Sequence, residues 1–343
     1  MHLGYDFLFY RFKPNNMLNA KITGIASYIP DYILTNDELA TMVETNDEWI
    51  TTRVGIKERR VLKGDEQGSS VMGTKAINKL LAETGVKPEE IDLLICATTN
   101  PDYRFPSTAS IMIGNCGLVN CYGFDVQAAC AGFIVTLQQA AAYVRSGMYK
   151  KVIVCAAEQM TSMTNYNDRT TCPLFGDAAA AVLVEPTEEE GIGVIDGVFH
   201  VEADHEHLVM KAGGSARPAS HETVDAQEHF VYQEGRAVYK HAVTDMLTSS
   251  QDILTRNNLD IKDVKYFIPH QANLRIIEAV GQRLGVTDEQ VLVNIQYRGN
   301  TSGASIPLCM DENKHKFKKG DKILLTAFGA GFTWGAMYIV WGY

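Results

Sequence analysis

The feature that most restricts how this chain can fold is a faint repetition of its own strand order. The first half runs through IDLLICATT, FDVQAACAG, KKVIVCAAE and AAAAVLVEP, and the second through VKYFIPHQAN, NIQYRGNTSG, DKILLTAFGAG and GAMYIVWGY. In each series a strand ends in polar residues, a second turns sharply through small residues, and two more strands follow. Such an order calls for two similar halves. Between the β-branched runs, such as Ile91 to Thr98, Lys151 to Ala156, Val264 to Ile268 and Lys322 to Ala327, lie helical patterns. That alternation is the mark of an α/β protein. Ser69 to Thr84 is read as a helix followed by a loop from Gly85 to Glu90, and Ala131 to Ser146 as a helix ended by Gly147. The acidic, glycine-containing link from Pro186 to Gly193 sets the boundary, giving halves at 17–188 and 189–343. Residues 203–232 are polar and irregular, and are read as an insertion or loop. Met1 to Asn16 is read as an extension or a misassigned start: it lacks the basic start, apolar segment and cleavage site of a secretory signal.

Composition narrows the function classes. No apolar run approaches the roughly 20 residues of a membrane span, so no membrane association is expected. A formal charge of −10 argues against nucleic acid as a partner. The seven cysteines are an odd, scattered set, which fits reduced thiols in a cytoplasmic protein. The run Lys314, Lys316, Lys318 and Lys319 is read as a solvated face. His205 and His207, beside Asp204 and Glu206, lack the further spacing that completes a metal site, so no metal is expected. The segment FGAGFTWG has neither the lysine of a phosphate-binding loop nor a dinucleotide fingerprint, and no nucleotide cofactor is expected.

Three residues stand where chemistry is expected. Cys130 follows the strand-like YGFDVQ and opens a long helical pattern. A thiol there feels the positive end of the helix dipole, which lowers its pKa and favours the thiolate. Cys96 and Cys155, inside strands, are read as small buried hydrophobes instead. His270 closes the strand KYFIP, and Asn300 sits where YRGNTSG runs into a glycine-rich turn. Strand ends of this kind are where open α/β sheets hold their ligands. Each has a mundane alternative, a helix cap for His270 and a turn for Asn300. Their echoing positions favour a nucleophile, a proton partner and a hydrogen-bond donor in one site.

The motifs NDEWITTRVGI, FPSTAS, QAACAGF, NDRTTCPLFGDAAAAVL, PHQANLRI, YRGNTSGASIP and AFGAGFTWG occur in that order. In these the chain resembles the β-ketoacyl-acyl carrier protein synthase III family, from about Ile22 to Tyr343. The resemblance implies a thiolase-like, five-layered αβαβα fold from two duplicated halves. It implies that Cys130 takes an acyl group from acyl-CoA, which is a substrate and not a cofactor. His270 and Asn300 would then stabilise the enolate formed when malonyl-acyl carrier protein loses carbon dioxide. The backbone N–H groups of Cys130 and Ala330 would form the oxyanion hole, with alanine standing where many relatives have glycine. Fixed donors of this sort are worth on the order of 3 kcal/mol each. Trp49, Arg53, Arg169 and Asn273 match coenzyme A positions, and arginine for phosphate with tryptophan for stacking is chemically apt. Phe175 and Phe332 would line the primer site, with Phe105 inserted from the partner of a homodimer. Arg275 and Arg283 would dock the acidic carrier protein, although Gln282 stands where the family often has a second basic residue.

Three other readings use the same residues. A secondary-pathway, polyketide-like ketosynthase of the same fold would differ only in acyl and extender specificity. A Cys–His–Asn thioester hydrolase would discharge the acyl-enzyme to water. A catalytically dead partner subunit would commonly lack one of the three residues, and none is missing here.

Overall fold

In the computed structural model, which describes residues 18–343, the repeated strand order becomes two sheets of matching connectivity. The first half supplies β1 (Asn19–Tyr28), β2 (Tyr32–Thr35), α1 (Asn36–Leu39), α2 (Asp47–Val54), β3 (Glu58–Val61) and α3 (Ser69–Thr84). It continues through β4 (Leu93–Ala97), α4 (Thr108–Cys116), β5 (Tyr122–Val126), α5 (Gly132–Arg145), β6 (Val152–Gln159) and β7 (Asp177–Thr187). The second half begins with β8 (Gly193–Val201), β9 (Leu208–Met210), α6 (His221–Asp225), β10 (Val231–Gln233), α7 (Gly235–Arg256) and β11 (Tyr266–Pro269). It ends with α8 (Leu274–Leu284), α9 (Ile295–Arg298), α10 (Ser305–Asn313), β12 (Lys322–Gly329) and β13 (Thr333–Val340). The extension expected at 1–16 lies outside the described residues.

The first sheet has the order β1-β7-β6-β4-β5, and the second β8-β13-β12-β11. In both, two antiparallel pairings lead into a parallel one. Every residue of β6 is buried, as expected of a strand covered on both faces. Its alternate side chains enter two different cores. One face, with Val152, Val154 and Ala156, meets α5 and α10 between the sheets. The other, with Ile153, Cys155 and Ala157, meets α3 and α4. A third core joins the second sheet to α7 and α8. The layers therefore run helix, sheet, helix, sheet, helix, and Cys96 and Cys155 are core residues on facing strands.

Two expectations are corrected. The stretch NIQYRG is a helical turn, α9, and not a strand. Glu312 on α10 accepts from Asn294 Nδ2 and Arg298 Nε, both at 2.7 Å, and this pair four residues apart holds the turn. Gly299, at φ 65°, then reverses the chain. Only a one-residue parallel bridge between Phe267 and Val291 keeps the place that β5 has in the first sheet. The segment 203–232 is likewise not irregular throughout. β9 and β10 pair as an antiparallel ribbon, and Ser220 caps the short helix α6. Too few alternating residues make up each three-residue strand for periodicity to reveal it. The lysine run does lie on an ion-paired surface: Lys314 meets Glu83 and Asp311, and Lys319 meets Glu189. Among the described residues no helix is long and apolar enough to cross a membrane.

Candidate active site

The two halves repeat one local device at the mouth of the central layer. After β5, a single 3₁₀ turn, Ala129–Ala131, carries Cys130 into α5. Ahead of α10, the turn Ser302–Ala304 occupies the same position in the second half. Each turn opens on a non-glycine residue at positive φ, Ala129 at 45° and Ser302 at 50°. Such conformations persist only where the surroundings impose them. Here the imposing structure is the crowding of strand ends. A methyl group on Gly329, at the end of β12, would lie 2.6 Å from Cys130 N. The loop carrying Ala330 is thus held against the nucleophile's own backbone.

Cys130, His270 and Asn300 line one cavity of about 1470 Å³, together with Phe175, Phe328 and Ala330. Ser302 connects two of them. Its Oγ is 3.6 Å from Cys130 Sγ, and its N–H donates to Asn300 Oδ1 at 2.8 Å. Because a backbone N–H can only donate, the near amide atom must be oxygen, and Nδ2 is left as the end available to the cavity. Asn300 is fixed further by its N–H to Leu174 O and by Gly176 N–H to its own carbonyl. A one-residue bridge to Phe175 accompanies these bonds.

His270 is buried at the end of β11, with its N–H on Thr326 O at 2.8 Å. Its Nδ1 is 2.7 Å from Ser305 Oγ, which also accepts from Gln271 N at 3.3 Å. Nδ1 is the one acceptor that the described residues offer the Ser305 proton, which is therefore assigned to that bond. The imidazole then carries its own proton on Nε2, as a neutral donor. Burial pushes its pKa down to about 3, so the ring stays neutral at physiological pH.

The thiol behaves otherwise than its helix position alone implied. Burial pushes Cys130 up to about 12, only partly opposed by the Ser302 hydrogen bond, with the nearby Glu158 charge adding to the rise. Desolvation of the thiolate is the largest influence on this group. The resting group is a thiol, and its proton must leave during reaction.

At the cavity mouth, the guanidiniums of Arg53 and Arg169 stand over the Trp49 ring, 4.9 and 4.6 Å from its centroid. Trp49 and Arg53 line the cavity, as do Asn273 and Arg275. Asn273 also caps α8, accepting from Arg275 N at 2.9 Å, and its Nδ2 reaches Arg53 O at 3.5 Å. Arg283 is exposed two turns farther along α8, beside exposed Gln282. Phe332 does not line the cavity. It is 1% exposed and packs behind Phe328, with ring centroids 4.8 Å apart, so Phe328 takes the lining position instead. Phe105 is 85% exposed and lies outside the cavity of its own chain.

Sequence reasoning passed over Ser302, Ser305, Glu158 and the ribbon. Both serines lie inside the quoted motif YRGNTSGASIP, and Glu158 is the last residue of KKVIVCAAE, a polar side chain at a strand's C-terminal end. That placement was a usable signal. Leu208, Met210, Tyr232 and Glu234 of the ribbon wall the outer cavity, and nothing in their spacing announced it.

The chain matches the family model described as 3-oxoacyl-[acyl-carrier-protein (ACP)] synthase III over residues 124–203, and the C-terminal model of the same description over residues 254–341. It is 54% identical over 329 residues to a beta-ketoacyl-[acyl-carrier-protein] synthase III of Porphyromonas gingivalis, covering 96% of this chain and 98% of that protein. Among solved structures, it is similar to the 3-oxoacyl-[acyl-carrier-protein] synthase III of Aquifex aeolicus. The TM-score there is 0.86 at 40% identity, over 94% of this chain and all of the other. It is also similar to the priming beta-ketosynthase of the R1128 polyketide biosynthetic pathway, with a TM-score of 0.87 at 32% identity, over 97% and 99% of the two chains.

Proposed function

Since the chain belongs to the 3-oxoacyl-acyl carrier protein synthase III family, we propose that it joins an acyl-CoA primer to a decarboxylated malonyl-acyl carrier protein, the initiating condensation of fatty-acid synthesis. Cys130 takes the acyl group first: its sulfur bonds the carbonyl carbon and coenzyme A leaves as the thiol. The N–H groups of Cys130 and Ala330 hold the oxyanion, a reading supported by the close approach of Gly329 to Cys130 N. Malonyl-acyl carrier protein then loses carbon dioxide, and its enolate carbon attacks the acyl-cysteine. The product is a 3-oxoacyl-acyl carrier protein and a free thiol.

The observation that carries this reading is the pair of neutral donors in Cys130's own cavity. An enolate oxygen needs donors that do not compete as bases. A buried imidazole with its proton on Nε2 and an amide with its Nδ2 free are suited to that task. Acyl-CoA is a substrate in this scheme. Its adenine and phosphate end would meet Trp49, Arg53, Arg169 and Asn273, where a flat ring and two guanidiniums are gathered. Arg275 and Arg283, exposed along α8, would receive the acidic carrier protein.

A homodimer is part of the proposal. Among the described residues β5 is a sheet edge with Tyr122 exposed, and Phe105 and Val119 lie exposed near it in sequence, a combination that invites a second chain. Phe105 would then enter the partner's primer pocket beside Phe175. We also read the protein as cytoplasmic, with seven free thiols in support, and the halves as meeting at residues 188 and 189. The likeness to the R1128 priming ketosynthase supports a second reading, a polyketide-type primer specificity in the same cavity.

Intact-protein mass after treatment with acyl-CoAs of increasing chain length tests the proposal. One acyl adduct on Cys130 is expected, absent from Cys130→Ala and retained by His270→Ala and Asn300→Ala. An adduct on another cysteine, or one that persists in Cys130→Ala, overturns it. The heaviest acyl group accepted separates the two primer readings.

A further inference from the structure

The proposed reaction requires the Cys130 proton to leave, and the imidazole that shares the cavity is a poor acceptor, since its Nδ1 already receives Ser305 and its Nε2 is protonated. A second buried base lies on the other side of the thiol. Glu158, at the end of β6, is 0% exposed. Its Oε2 accepts from Thr99 N at 3.0 Å and Thr98 Oγ1 at 3.5 Å, and its Oε1 from Thr99 Oγ1 at 3.0 Å. The nearby Ser302 hydroxyl and Gly303 N–H also favour the ionised carboxylate. No cation is paired with it among the described residues.

The bonds around Ser302 give this chain a direction. Thr99 Oγ1, 3.5 Å from Ser302 Oγ, has its proton on Glu158. The Ser302 hydroxyl acts on both Glu158 and Cys130, lowering each pKa, and its one proton can serve only one of them at a time. With that proton turned to Glu158, the lone pairs of Ser302 face Cys130 Sγ at 3.6 Å and can accept the thiol proton. Ser302 is held in this place at φ 50°, a conformation that the mirrored residue Ala129 adopts with no hydroxyl to offer.

We infer that Glu158 accepts the proton of Cys130 through the Ser302 hydroxyl while the acyl group is transferred. The inference rests on the reading of Cys130 as the acyl acceptor. As the sulfur bonds the acyl carbon, its proton passes to Ser302 Oγ and the serine proton passes to Glu158. When the carbon–sulfur bond to coenzyme A breaks, the departing thiolate takes a proton back by the same route, and Glu158 is left ionised. Burial raises Glu158 to about 7, against the opposing pull of Thr99, Ser302 and Gly303, which makes it a far stronger base than His270. The titratable groups around it are Cys130 ahead of α5 and Cys96 on β4, both of which feel its charge. Asp125 on β5 and Asp102 after β4 act on Cys96 as well, Asp177 on β7 pairs with the adjacent Gln159, and His270 closes the cavity from the second half.

Single-turnover acylation, followed by intact mass between pH 5.5 and 9, tests this. The wild-type rate should rise with pH and level off above about 7, as Glu158 ionises. Glu158→Gln should acylate at least about 100-fold more slowly at pH 8. Its rate should climb about tenfold per pH unit with no plateau, at unchanged half-saturating acyl-CoA. Ser302→Ala, a substitution for which Ala129 shows the backbone is permissive, should give the same loss and the same unbroken slope. A merely structural role would lower the rate and keep the inflection. Wild-type acylation in either variant, or a slowed rate that still levels off near pH 7, overturns the inference. An adduct in Cys130→Ala would instead overturn the reading on which it rests.

Discussion

Replacing Ser305 by alanine should separate the two half-reactions. The Ser305 hydroxyl is the one group that fixes the His270 proton on Nε2, accepting from Gln271 N at 3.3 Å and donating to Nδ1 at 2.7 Å. Alanine leaves the buried Nδ1 without that partner and lets the proton move to it. A buried polar group left unpaired costs about 1–3 kcal/mol. If that sets the loss of donor strength from Nε2, decarboxylation should slow by about 5- to 150-fold. The ceiling is the loss of the whole donor, on the order of 100- to 1000-fold. Acylation of Cys130 should stay within about twofold, because its proton leaves toward Ser302. The assay pairs carbon dioxide release from carboxyl-labelled malonyl-acyl carrier protein with the rate of adduct formation on the same preparation. Equal slowing of both steps, or undiminished decarboxylation, would refute the assignment of the Nε2 proton.

Other outcomes follow from the same geometry. Gly329→Ala puts a methyl 2.6 Å from Cys130 N and 3.1 Å from the Ala129 side chain, where backbone must move, so acylation should fall at least about tenfold with a lowered melting temperature. Trp49→Ala removes the ring that both guanidiniums cover, and should raise the KM for acyl-CoA about tenfold while leaving kcat nearly unchanged in steady-state assays. His270 is depressed to about 3 from an ordinary value near 6.5, so its stabilising contribution is whole above about 6.5 and is lost as pH falls toward 3. The full loss is on the order of 5 kcal/mol. Wild type should therefore lose more stability than His270→Gln between pH 7 and 4 in denaturant titrations, and parallel losses would contradict the neutral imidazole.

What could be read from the sequence follows the length scale of each signal. Strands of four or more apolar residues carried the order of both sheets, and the helix Ser69–Thr84 was delimited by glycines on either side. The three reactive residues stood at strand ends, a position defined by local pattern. NIQYRG misled because its turn is held by Glu312, a partner some 14 to 18 residues away that no short window contains. Phe332 misled because a hairpin can turn either of two aromatic residues toward a cavity, and only packing decides that Phe328 faces it. The thiol pKa differs from expectation for a related reason: the helix start is visible in the sequence, whereas the desolvation that raises the thiol depends on neighbours from both halves.

The most direct test is the fate of carbon atoms in one turnover. Enzyme acylated with a ¹³C-labelled primer is mixed with malonyl-acyl carrier protein, and the carrier is analysed by mass spectrometry. The account predicts a labelled 3-oxoacyl group on the carrier, with one carbon dioxide released for each thiol regenerated. Labelled free acid, with the carrier still bearing malonyl or acetyl, would contradict it.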